Sequence, residues 1–420
     1  MNRSCNQQSA ISNPQSTIAM DTSSFPAFLR SLNLDGSVTT KPGRMVAGPP
    51  AAWLDFALRL GLGPLLLNSP RNRAMMQKVG IGPETTAQLT QRLRSRAHWR
   101  PVLEGLAAPH LAAVDQAVER GDRRQALQEI KDALMLLNLA YGGDHYYFHT
   151  PMRDLREALP KTRRLYTLFR QITGDRGEYI RFTHAHGTSS GLLHFPPGHA
   201  AQALKSTPAL VAIHGLAGDK DTFDYLTGPF REAGYATFCI DMPAHGENFD
   251  GPRLQPDDEV VGVAALETMA AHPEIDPARV GVMGASMGGF WALRTAAASS
   301  LPKVCLAFAS AFDIGHELDK AVPGIQDFVA YVLGAPTLPE AYALAQPFHL
   351  RDVLGSVRCP VHLVHGTQDH ICNFLVTYEI ARRVKSPLSV HPLVGVDHEA
   401  ANPSTLNIAG PGIEWLKENL

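Results

Sequence analysis

Six short apolar segments, separated by helix-length stretches, dominate the second half of this chain. They are ALVAIHG (209–215), ATFCIDM (236–242), RVGVMGAS (279–286), KVCLAFAS (303–310), PVHLVHG (360–366) and LSVHPLVG (388–395). Strands that are apolar throughout and alternate with helices are typical of a parallel sheet covered by helices on both faces. Two further segments ahead of them, EYIRFTHA and SSGLLHFPP, resemble a pair of strands. The pattern therefore predicts the α/β fold class.

The first part of the chain has a different pattern. Residues 46–172 carry apolar side chains at spacings of three and four between Gly-Pro and Gly-Gly pairs, which predicts an all-helical domain. Residues 1–45 are rich in Ser, Asn and Gln, and we expect a disordered tail there, with Met20 as an alternative start. Residues 173–420 form the predicted α/β domain. Within it, 311–350 breaks the alternation and predicts an inserted lid.

Composition limits the kind of partner and compartment. Lys and Arg total 38 against 40 Asp and Glu, so the chain lacks the basic excess expected for nucleic-acid binding. No apolar run is long enough to predict a membrane span, and the N-terminus lacks the apolar core of a secretory signal. The five cysteines are odd in number and form no CxxC pair, which disfavours a disulfide framework and predicts a cytoplasmic protein.

The motif GASMG, residues 284–288, follows one of the predicted strands and begins a predicted helix. A sharp strand–turn–helix elbow pushes the central serine side chain clear of the backbone, and small residues on either side allow the turn to close. The helix N-terminus adds a positive dipole end where negative charge develops. The motif therefore predicts that Ser286 is a nucleophile.

A serine nucleophile needs a base, and the base needs a carboxylate that orients it. Asp369 in HGTQDH and His398 in GVDHEAAN each follow a predicted strand, in the order serine, acid, histidine. The carboxyl ends of parallel strands gather catalytic groups at one edge of the sheet. We therefore predict Asp369 and His398 as acid and base. Their neighbours His370 and Asp397 are of the same residue types and compete for these roles.

Two main-chain amides are candidates for an oxyanion hole. One is the N–H of Met287, which follows the nucleophile, and the other is the N–H of Leu216, in the turn after the strand ALVAIHG. Gly215 allows close backbone approach. An ordinary glycine turn is the competing interpretation.

Metal and cofactor signals are weak. The pair His145 and His149 and the pair His184 and His186 have no convincing third ligand, and no HExxH motif accompanies them. The chain also lacks the P-loop spacing and a GxGxxG after its first strand. We expect no metal and no cofactor.

Together these motifs resemble the α/β-hydrolase superfamily over about 177–420. The long helical region before that domain, with the pattern GDRRQALQEIKDALMLLNLAYGGDHYYF, is similar to the FrsA-like branch. That branch includes the 2,6-dihydroxypseudooxynicotine hydrolase and fungal pigment hydrolases that shorten a polyketide chain. The resemblance implies a mostly parallel eight-stranded sheet with helices on both faces, an N-terminal helical cap and a catalytic domain over 173–420. It also allows a homodimer formed through the helical region.

The resemblance implies further site residues. An extra glutamate follows the nucleophile in one relative, and the matching candidate in this chain is Glu317, with Asp313 as a weaker rival. Tyr146 and His149, in an aromatic cluster, are candidates for contact with a planar substrate, although aromatic residues at helical spacing are more often core. His245 either faces the pocket or has a structural role.

The leading hypothesis is a serine hydrolase that forms an acyl-enzyme at a substrate carbonyl. The resemblance implies cleavage of a carbon–carbon bond beside a ketone in a polyketide-like or aryl-diketone-like small molecule. An ester, thioester or lactone would follow the same path. One alternative is an acyltransferase or cyclase of secondary metabolism that uses the same triad. Another is a noncatalytic FrsA-like regulatory binding protein, because fold does not fix function.

Overall fold

The computed structural model describes residues 20–34, 36, 38–40, 51–67, 82–143, 152–174, 176–199, 204–321 and 323–420. The described residues contain one eight-stranded sheet, in the spatial order β1-β2-β4-β3-β5-β6-β7-β8. Its strands are β1 (Gly177–His184), β2 (Gly187–His194), β3 (Thr207–Ile213), β4 (Ala236–Ile240), β5 (Ile275–Ala285), β6 (Cys305–Phe308), β7 (Val361–Gly366) and β8 (Leu388–Leu393).

The sheet is parallel except at one edge. β1 pairs antiparallel with β2, and β2 pairs antiparallel with β4, whereas all other neighbours are parallel. This arrangement confirms the α/β-hydrolase fold that the sequence predicts. Because the strands β3 to β8 run the same way, the turns that follow them meet at one edge of the sheet.

Helices precede the sheet and lie between its strands. Those before the sheet are α1 (Phe25–Ser31), α2 (Ala51–Arg59), α3 (Gly63–Leu67), α4 (Pro83–Arg92), α5 (Trp99–Glu119), α6 (Arg123–Asn138) and α7 (Met152–Thr173). Those that follow are α8 (Lys220–Leu226), α9 (Gly228–Glu232), α10 (Glu259–Ala271), α11 (Met287–Ala298), α12 (Ile314–Leu318), α13 (Pro323–Leu333), α14 (Leu338–Ala345), α15 (Leu375–Ala381) and α16 (Leu406–Asn419).

The central strands are apolar because both faces of the sheet are covered. Every residue of β3, β4, β6 and β7 is buried. Successive residues of β3 alternate between two cores: Val211 and Ile213 pack on one face, and Leu210 and Ala212 on the other. Burial on both faces explains why these segments read as continuous apolar runs.

The N-terminal helices have a core of their own, which includes Trp99, Ile130 and Leu165. Helix α7 joins this region to the α/β domain through charge pairs. The guanidinium of Arg170 lies 3.3 Å from a carboxylate oxygen of Asp221. That carboxylate is nearly fully buried, and Arg163 of the same helix also lies 3.3 Å from it, so two cations of α7 offset the cost of burying this charge. The N-terminal helical region is thus present, and its exact boundaries stay a prediction.

The expectation of a disordered tail over 1–45 is wrong for the part that the structure describes there. Phe25–Ser31 forms helix α1, capped by the Ser24 side chain, and Phe28 is fully buried. Its ring lies 5.6 Å from that of Tyr378 on α15. The polar composition of the flanking residues hides this short apolar segment, which is ordered by tertiary packing rather than by helix propensity.

Across the described residues, no helix combines the length and apolar character needed to cross a membrane. Four cysteines in the described part of the chain, Cys239, Cys305, Cys359 and Cys372, are free and buried.

Candidate active site

Ser286 lies at a sharp turn between β5 and α11. Its φ of 55° and ψ of −122° are unusual for a non-glycine residue, as expected for a nucleophile elbow. The flanking glycines make the turn sterically possible. A Cβ at Gly284 would lie 2.1 Å from the carbonyl oxygen of Gly288, and a Cβ at Gly288 would lie 2.0 Å from that of Ile213. The motif therefore needs glycine at both positions.

Three side chains that are far apart in the sequence form a hydrogen-bonded path. The Oγ atom of Ser286 lies 3.1 Å from Nε2 of His398. On the other side of the ring, Nδ1 of His398 lies 2.8 Å from Oδ2 of Asp369. A carboxylate only accepts hydrogen bonds, so Nδ1 carries the proton and Nε2 is left to accept one from the serine. The geometry is that of a serine, histidine and aspartate triad.

Asp369 is held as a buried carboxylate. Its Oδ1 accepts hydrogen bonds from the main-chain amides of Ile371 and Cys372, both at 2.9 Å. Burial by itself would raise the pKa of Asp369, but the charge and hydrogen bond of His398 and the amide donors hold it below its usual value. The acid is therefore charged at neutral pH.

The environment of His398 favours its protonated form. Burial opposes its protonation, but the adjacent Asp369 carboxylate outweighs this and raises the pKa of His398 above its usual value. A base that gains stability on protonation is suited to accept the serine proton.

The structure also shows how His370 and Asp397, the competing candidates for base and acid, are placed. Asp397 accepts hydrogen bonds from the main-chain N–H of His398 at 2.6 Å and from Nδ1 of His370. His370 and Asp397 thus pair with each other beside the path that contains Asp369 and His398. Their place in the turns after β7 and β8 made them candidates, but neither reaches Ser286 by a hydrogen bond.

His365 is a residue that the sequence interpretation missed. It is buried at the end of β7, and its Nε2 lies 2.6 Å from the carbonyl oxygen of Cys372 and 3.5 Å from Oδ2 of Asp369. Its ring thereby supports the loop that carries the acid. Nothing in the apolar run PVHLVHG distinguished this histidine from a core residue.

The two candidate oxyanion amides belong to residues in the turns next to Ser286. Met287 is the first residue of α11, so no carbonyl within the helix can accept from its N–H. Gly215 precedes Leu216, and a Cβ at Gly215 would lie 3.9 Å from Oγ of Ser286. The Gly215–Leu216 peptide therefore packs directly beside the nucleophile.

A cavity of about 500 Å³ opens at Ser286 and His398. Most of its wall is apolar and comes from the turn after β3, from α8 and from the segment containing α12 and α13, which the sequence predicts as a lid. These apolar lining residues include Leu216, Phe223, Leu226, Ile314, Leu318, Ile325 and Val329. A pocket of this kind suits a mostly apolar small molecule.

Glu317 also lines this cavity. Its Oε1 accepts hydrogen bonds from the amides of Phe312 and Asp313, yet burial dominates and raises its pKa to about 7. Asp313, the rival candidate, is engaged elsewhere, because its side chain accepts from the amide of His316 and pairs with Arg351. Glu317 is thus the carboxyl group of this segment that faces the site.

The remaining predicted substrate contacts are His245, Tyr146 and His149, and none of them lines the described cavity. His245 is not at the cavity wall: its ring is buried, and both nitrogens lie 2.8 Å from main-chain carbonyl oxygens, those of Pro243 and Leu216. Burial lowers the pKa of His245 to about 3, so the ring is neutral. The ring therefore contacts main-chain atoms of two turns rather than the cavity. Tyr146 and His149 lie outside the described residues.

One group in the described part of the chain has the side chains to hold a metal ion. His110, Glu129 and Asp132 offer ligand atoms within 4.8 Å of one another. All three are partly exposed, lie on α5 and α6, and are remote from the residues that line the Ser286 cavity. The hydrogen bond of 2.8 Å between His110 and Glu129 already accounts for their proximity.

Comparison with known proteins agrees with this architecture. A model of the alpha/beta hydrolase family matches residues 210–405. The 2,6-dihydropseudooxynicotine hydrolase of Paenarthrobacter nicotinovorans is 28% identical over 165 residues, which is 39% of this chain and 45% of that protein. Hydrolase pyiE of Pyricularia grisea is 28% identical over 291 residues, which is 63% of this chain and 59% of that protein. The chain thus spans about half the length of these curated relatives.

Solved structures extend the likeness to the helical region. The crystal structure of the 2,6-dihydroxy-pseudo-oxynicotine hydrolase superposes with a TM-score of 0.70 at 20% identity, covering 82% of this chain and 95% of that one. The AbyA5 wild-type structure gives a TM-score of 0.57 at 17% identity, covering 87% of this chain and 98% of that one. At such identities the likeness establishes the fold.

Proposed function

We propose that this chain, an α/β hydrolase by its fold and by the family match over residues 210–405, is a serine hydrolase that forms an acyl-enzyme at a substrate carbonyl. The observation that carries the proposal is the hydrogen-bonded path from Ser286 through His398 to Asp369, at 3.1 and 2.8 Å. These are the separations that proton transfer requires.

In the proposed first step, Nε2 of His398 takes the proton of Ser286 while the serine oxygen attacks the carbonyl carbon. The carbonyl oxygen becomes an oxyanion that the amides of Leu216 and Met287 stabilise. The Asp369 carboxylate stabilises the imidazolium ion, consistent with the raised pKa of His398.

Collapse of the tetrahedral intermediate expels the leaving group with its bonding electron pair. A proton must then reach that group, either from His398 or from Glu317. With its pKa raised to about 7, Glu317 can hold a proton near neutral pH, where an ordinary glutamate is ionised. The imidazolium of His398 gives its proton to the leaving group, or to solvent when Glu317 has protonated that group. The neutral ring then deprotonates the water that attacks the acyl-enzyme and releases a carboxylic acid.

The cavity and the relatives support a proposal for the substrate class. We propose a mostly apolar carbonyl compound with a second ketone beside the bond that breaks, because the leaving carbanion is then an enolate. Two features support this: the apolar wall around Ser286, and the second acid, Glu317, on that wall. The similarity to the 2,6-dihydropseudooxynicotine hydrolase and to fungal hydrolases such as pyiE points the same way. No cofactor enters this scheme.

A simple ester needs no enolate and would be cleaved by the same residues. We therefore propose ester hydrolysis as the activity to assay first. We also propose the cytoplasm as the compartment, since the four described cysteines are free thiols.

Labelling with a fluorophosphonate probe tests the proposal. The wild-type protein should gain the mass of one phosphonyl group, and Ser286→Ala should gain none while keeping the wild-type melting temperature. A Ser299→Ala variant is the matched control, since Ser299 lies at the end of α11, away from the cavity. Absence of labelling in the wild type would support a binding protein and overturn the proposal.

The mass of the product separates hydrolysis from acyl transfer. Hydrolysis of an ester or β-diketone adds the elements of water across the broken bond, whereas transfer to an amine or enolate does not. Products that lack the added water would replace the hydrolase with an acyltransferase or cyclase.

A further inference from the structure

We propose that the N-terminal helical region binds the surface of an anionic lipid bilayer through an exposed apolar face of helix α2. This apolar face consists of Trp53, Phe56 and Leu60. Leu62 and Leu65, which follow it in the chain, are exposed as well. Binding is peripheral: the side chains enter the interface between lipid and water, and no helix crosses the bilayer. None of these five residues lines the catalytic cavity, so the binding is independent of the chemistry there.

The first support is the clustering of exposed apolar side chains. Trp53 is 48% exposed, Phe56 61% and Leu60 60%. In the part of the chain that the structure describes, eleven large apolar side chains are exposed, and five of them lie between positions 53 and 65. Single exposed apolar residues are normal on a protein surface, whereas a cluster of them marks an interaction site.

The second support is the way in which α2 is fixed to the protein. Ala57 and Leu58, on its other face, are buried, and Leu58 belongs to the core of the N-terminal helices. Asp55 accepts a hydrogen bond of 2.7 Å from the amide of Arg96, and its carboxylate lies 3.3 Å from the guanidinium of the same residue. The side chains of the apolar face are three and four positions apart, so they lie together on the side turned away from Leu58. The helix is thus anchored by one apolar face and presents a second one to solvent.

The third support is the charge of this part of the chain. In the sequence, residues 41–100 contain ten Lys and Arg against two Asp and Glu, a net charge of +8. Residues 173–420 contain 16 against 27, a net charge of −11. An anionic surface therefore attracts the region around α2 and repels the α/β domain, which turns the apolar face toward the lipid.

The same charge disfavours a second copy of this chain as the occupant. Two copies that met at the apolar face would bring together two segments of net charge +8, and like charges oppose association. A bilayer with acidic lipids satisfies both requirements, because it offers negative head groups beside an apolar interior. Trp and Phe side chains also favour this interface. The cytoplasmic leaflet, which faces the compartment proposed above, is rich in such lipids.

Binding to vesicles tests the proposal. The purified protein is sedimented with vesicles of equal parts phosphatidylserine and phosphatidylcholine, and with vesicles of phosphatidylcholine alone. The wild type should bind the anionic vesicles, and its affinity should be about 10-fold or more lower on the neutral ones. Its affinity for the anionic vesicles should also fall as the salt concentration rises, because salt screens the attraction.

Substitution of the apolar face separates insertion from attraction by charge alone. Phe56→Ser/Leu60→Ser should raise the dissociation constant for the anionic vesicles by about 10-fold or more, since binding strength scales with the apolar area buried in the interface. Its melting temperature and its kcat for p-nitrophenyl butyrate should stay at the wild-type values, because both side chains are exposed. Leu204→Ser/Leu406→Ser is the matched control: these two leucines are equally exposed but lie in the α/β domain, and the variant should bind as the wild type does.

Tryptophan fluorescence reports where the protein meets the lipid. Trp99 and Trp291 are buried and Trp415 is half-buried, which leaves Trp53 as the tryptophan with a largely exposed ring. Brominated phosphatidylcholine in the anionic vesicles should therefore quench part of the wild-type emission. Trp53→Phe keeps an apolar side chain, so it should still sediment with the vesicles but lose this quenching.

Absence of wild-type binding to the anionic vesicles would overturn the proposal, and so would equal affinities of the wild type and Phe56→Ser/Leu60→Ser. Analytical ultracentrifugation identifies another occupant: a wild-type dimer that the same substitutions dissociate, without vesicle binding, would assign the apolar face to a second copy of this chain. If Phe56→Ser/Leu60→Ser does not fold, the quenching experiment decides, and equal quenching of the wild type and Trp53→Phe would overturn the proposal.

Discussion

The carboxylate of Asp369 and the ring of His398 are joined by a hydrogen bond of 2.8 Å, and the carboxylate is completely buried. This pair is formed by two turns, after β7 and β8, that each carry a second aspartate or histidine. The structure thus selects one pairing from several that the sequence allows.

Asp369→Asn tests that selection. An amide in place of the carboxylate can donate to Nδ1, which favours the wrong tautomer of His398. We therefore expect kcat to fall by about 10³- to 10⁴-fold, with the fold intact. Asp397→Asn is the control: it affects the main chain at His398 and the partner of His370, and we expect a loss of less than about tenfold. Steady-state kinetics of both variants measures this, and the reverse ranking would show that Asp397 is the acid.

Glu317 gives a pH-dependence that differs between substrates. Its pKa, raised to about 7 by burial, means that its protonated form is lost as the pH rises through about 7. Cleavage of a β-diketone, which needs a proton for the enolate, should therefore decline on the alkaline side, and ester hydrolysis should not. The acidic limb, shared by both, reflects His398 and should lie above the usual histidine pKa because that pKa is raised.

Glu317→Gln should remove the alkaline limb and lower diketone cleavage by about 10²-fold, the usual contribution of a general acid. Ester hydrolysis should change far less. The pH–rate profiles of wild type and variant with both substrates provide the measurement. An unchanged diketone profile in Glu317→Gln would exclude Glu317 as the proton donor.

The turn between β5 and α11 leaves no room for a side chain at Gly288. A Cβ there would lie 2.0 Å from the carbonyl oxygen of Ile213, so Gly288→Ala must displace β3 or α11. We expect the free energy of unfolding to fall by about 1–3 kcal/mol or more. Gly105→Ala is the control, because nothing beyond its own helix and chain neighbours lies within 4 Å of the added Cβ in helix α5, and alanine there should stabilise the fold by about 0.5–1 kcal/mol. Urea unfolding of both variants compares them, and equal stabilities would contradict the tight contact.

Helix α1 is predicted to stabilise the acid loop. Phe28 is fully buried against Phe374 and Tyr378, and the amide of Phe374 donates to the carbonyl of Thr39 at 3.0 Å. Phe28→Ala should lower the free energy of unfolding by about 3–5 kcal/mol. Leu406→Ala, at an exposed leucine, should change it by less than about 0.5 kcal/mol. Denaturant titration measures both, and a stable Phe28→Ala would indicate that α1 does not dock on this loop.

The parallel strands, the nucleophile elbow and the candidate triad residues could be predicted from local sequence patterns. The apolar runs predicted the parallel strands. When both faces of a strand are buried, successive side chains are all apolar and do not alternate with polar ones. The GASMG motif predicted the elbow from five consecutive residues, and the glycine contacts at 284 and 288 give the steric reason. Asp369 and His398 could be named as candidates because parallel strands end at one edge of the sheet, although position alone did not separate them from His370 and Asp397.

Other features could not be predicted in this way, because they depend on contacts between distant residues. The sequence left open whether His245 faces the pocket, and its contact with the carbonyl oxygen of Leu216 depends on how two distant turns meet. Phe28 lies in a polar part of the sequence, and its burial depends on contact with Tyr378 on α15. His365 lies in an apolar strand, and its contact with the carbonyl oxygen of Cys372 links it to the loop that carries Asp369.

The sequence by itself determined which elements form and which residue types follow the strands, since those depend on side chains a few positions apart. Only the tertiary structure decided which aspartate is hydrogen-bonded to which histidine, and which carboxyl group has its pKa raised towards neutral pH. Burial creates the environment that shifts the pKa of Glu317, and burial is a property of the folded chain.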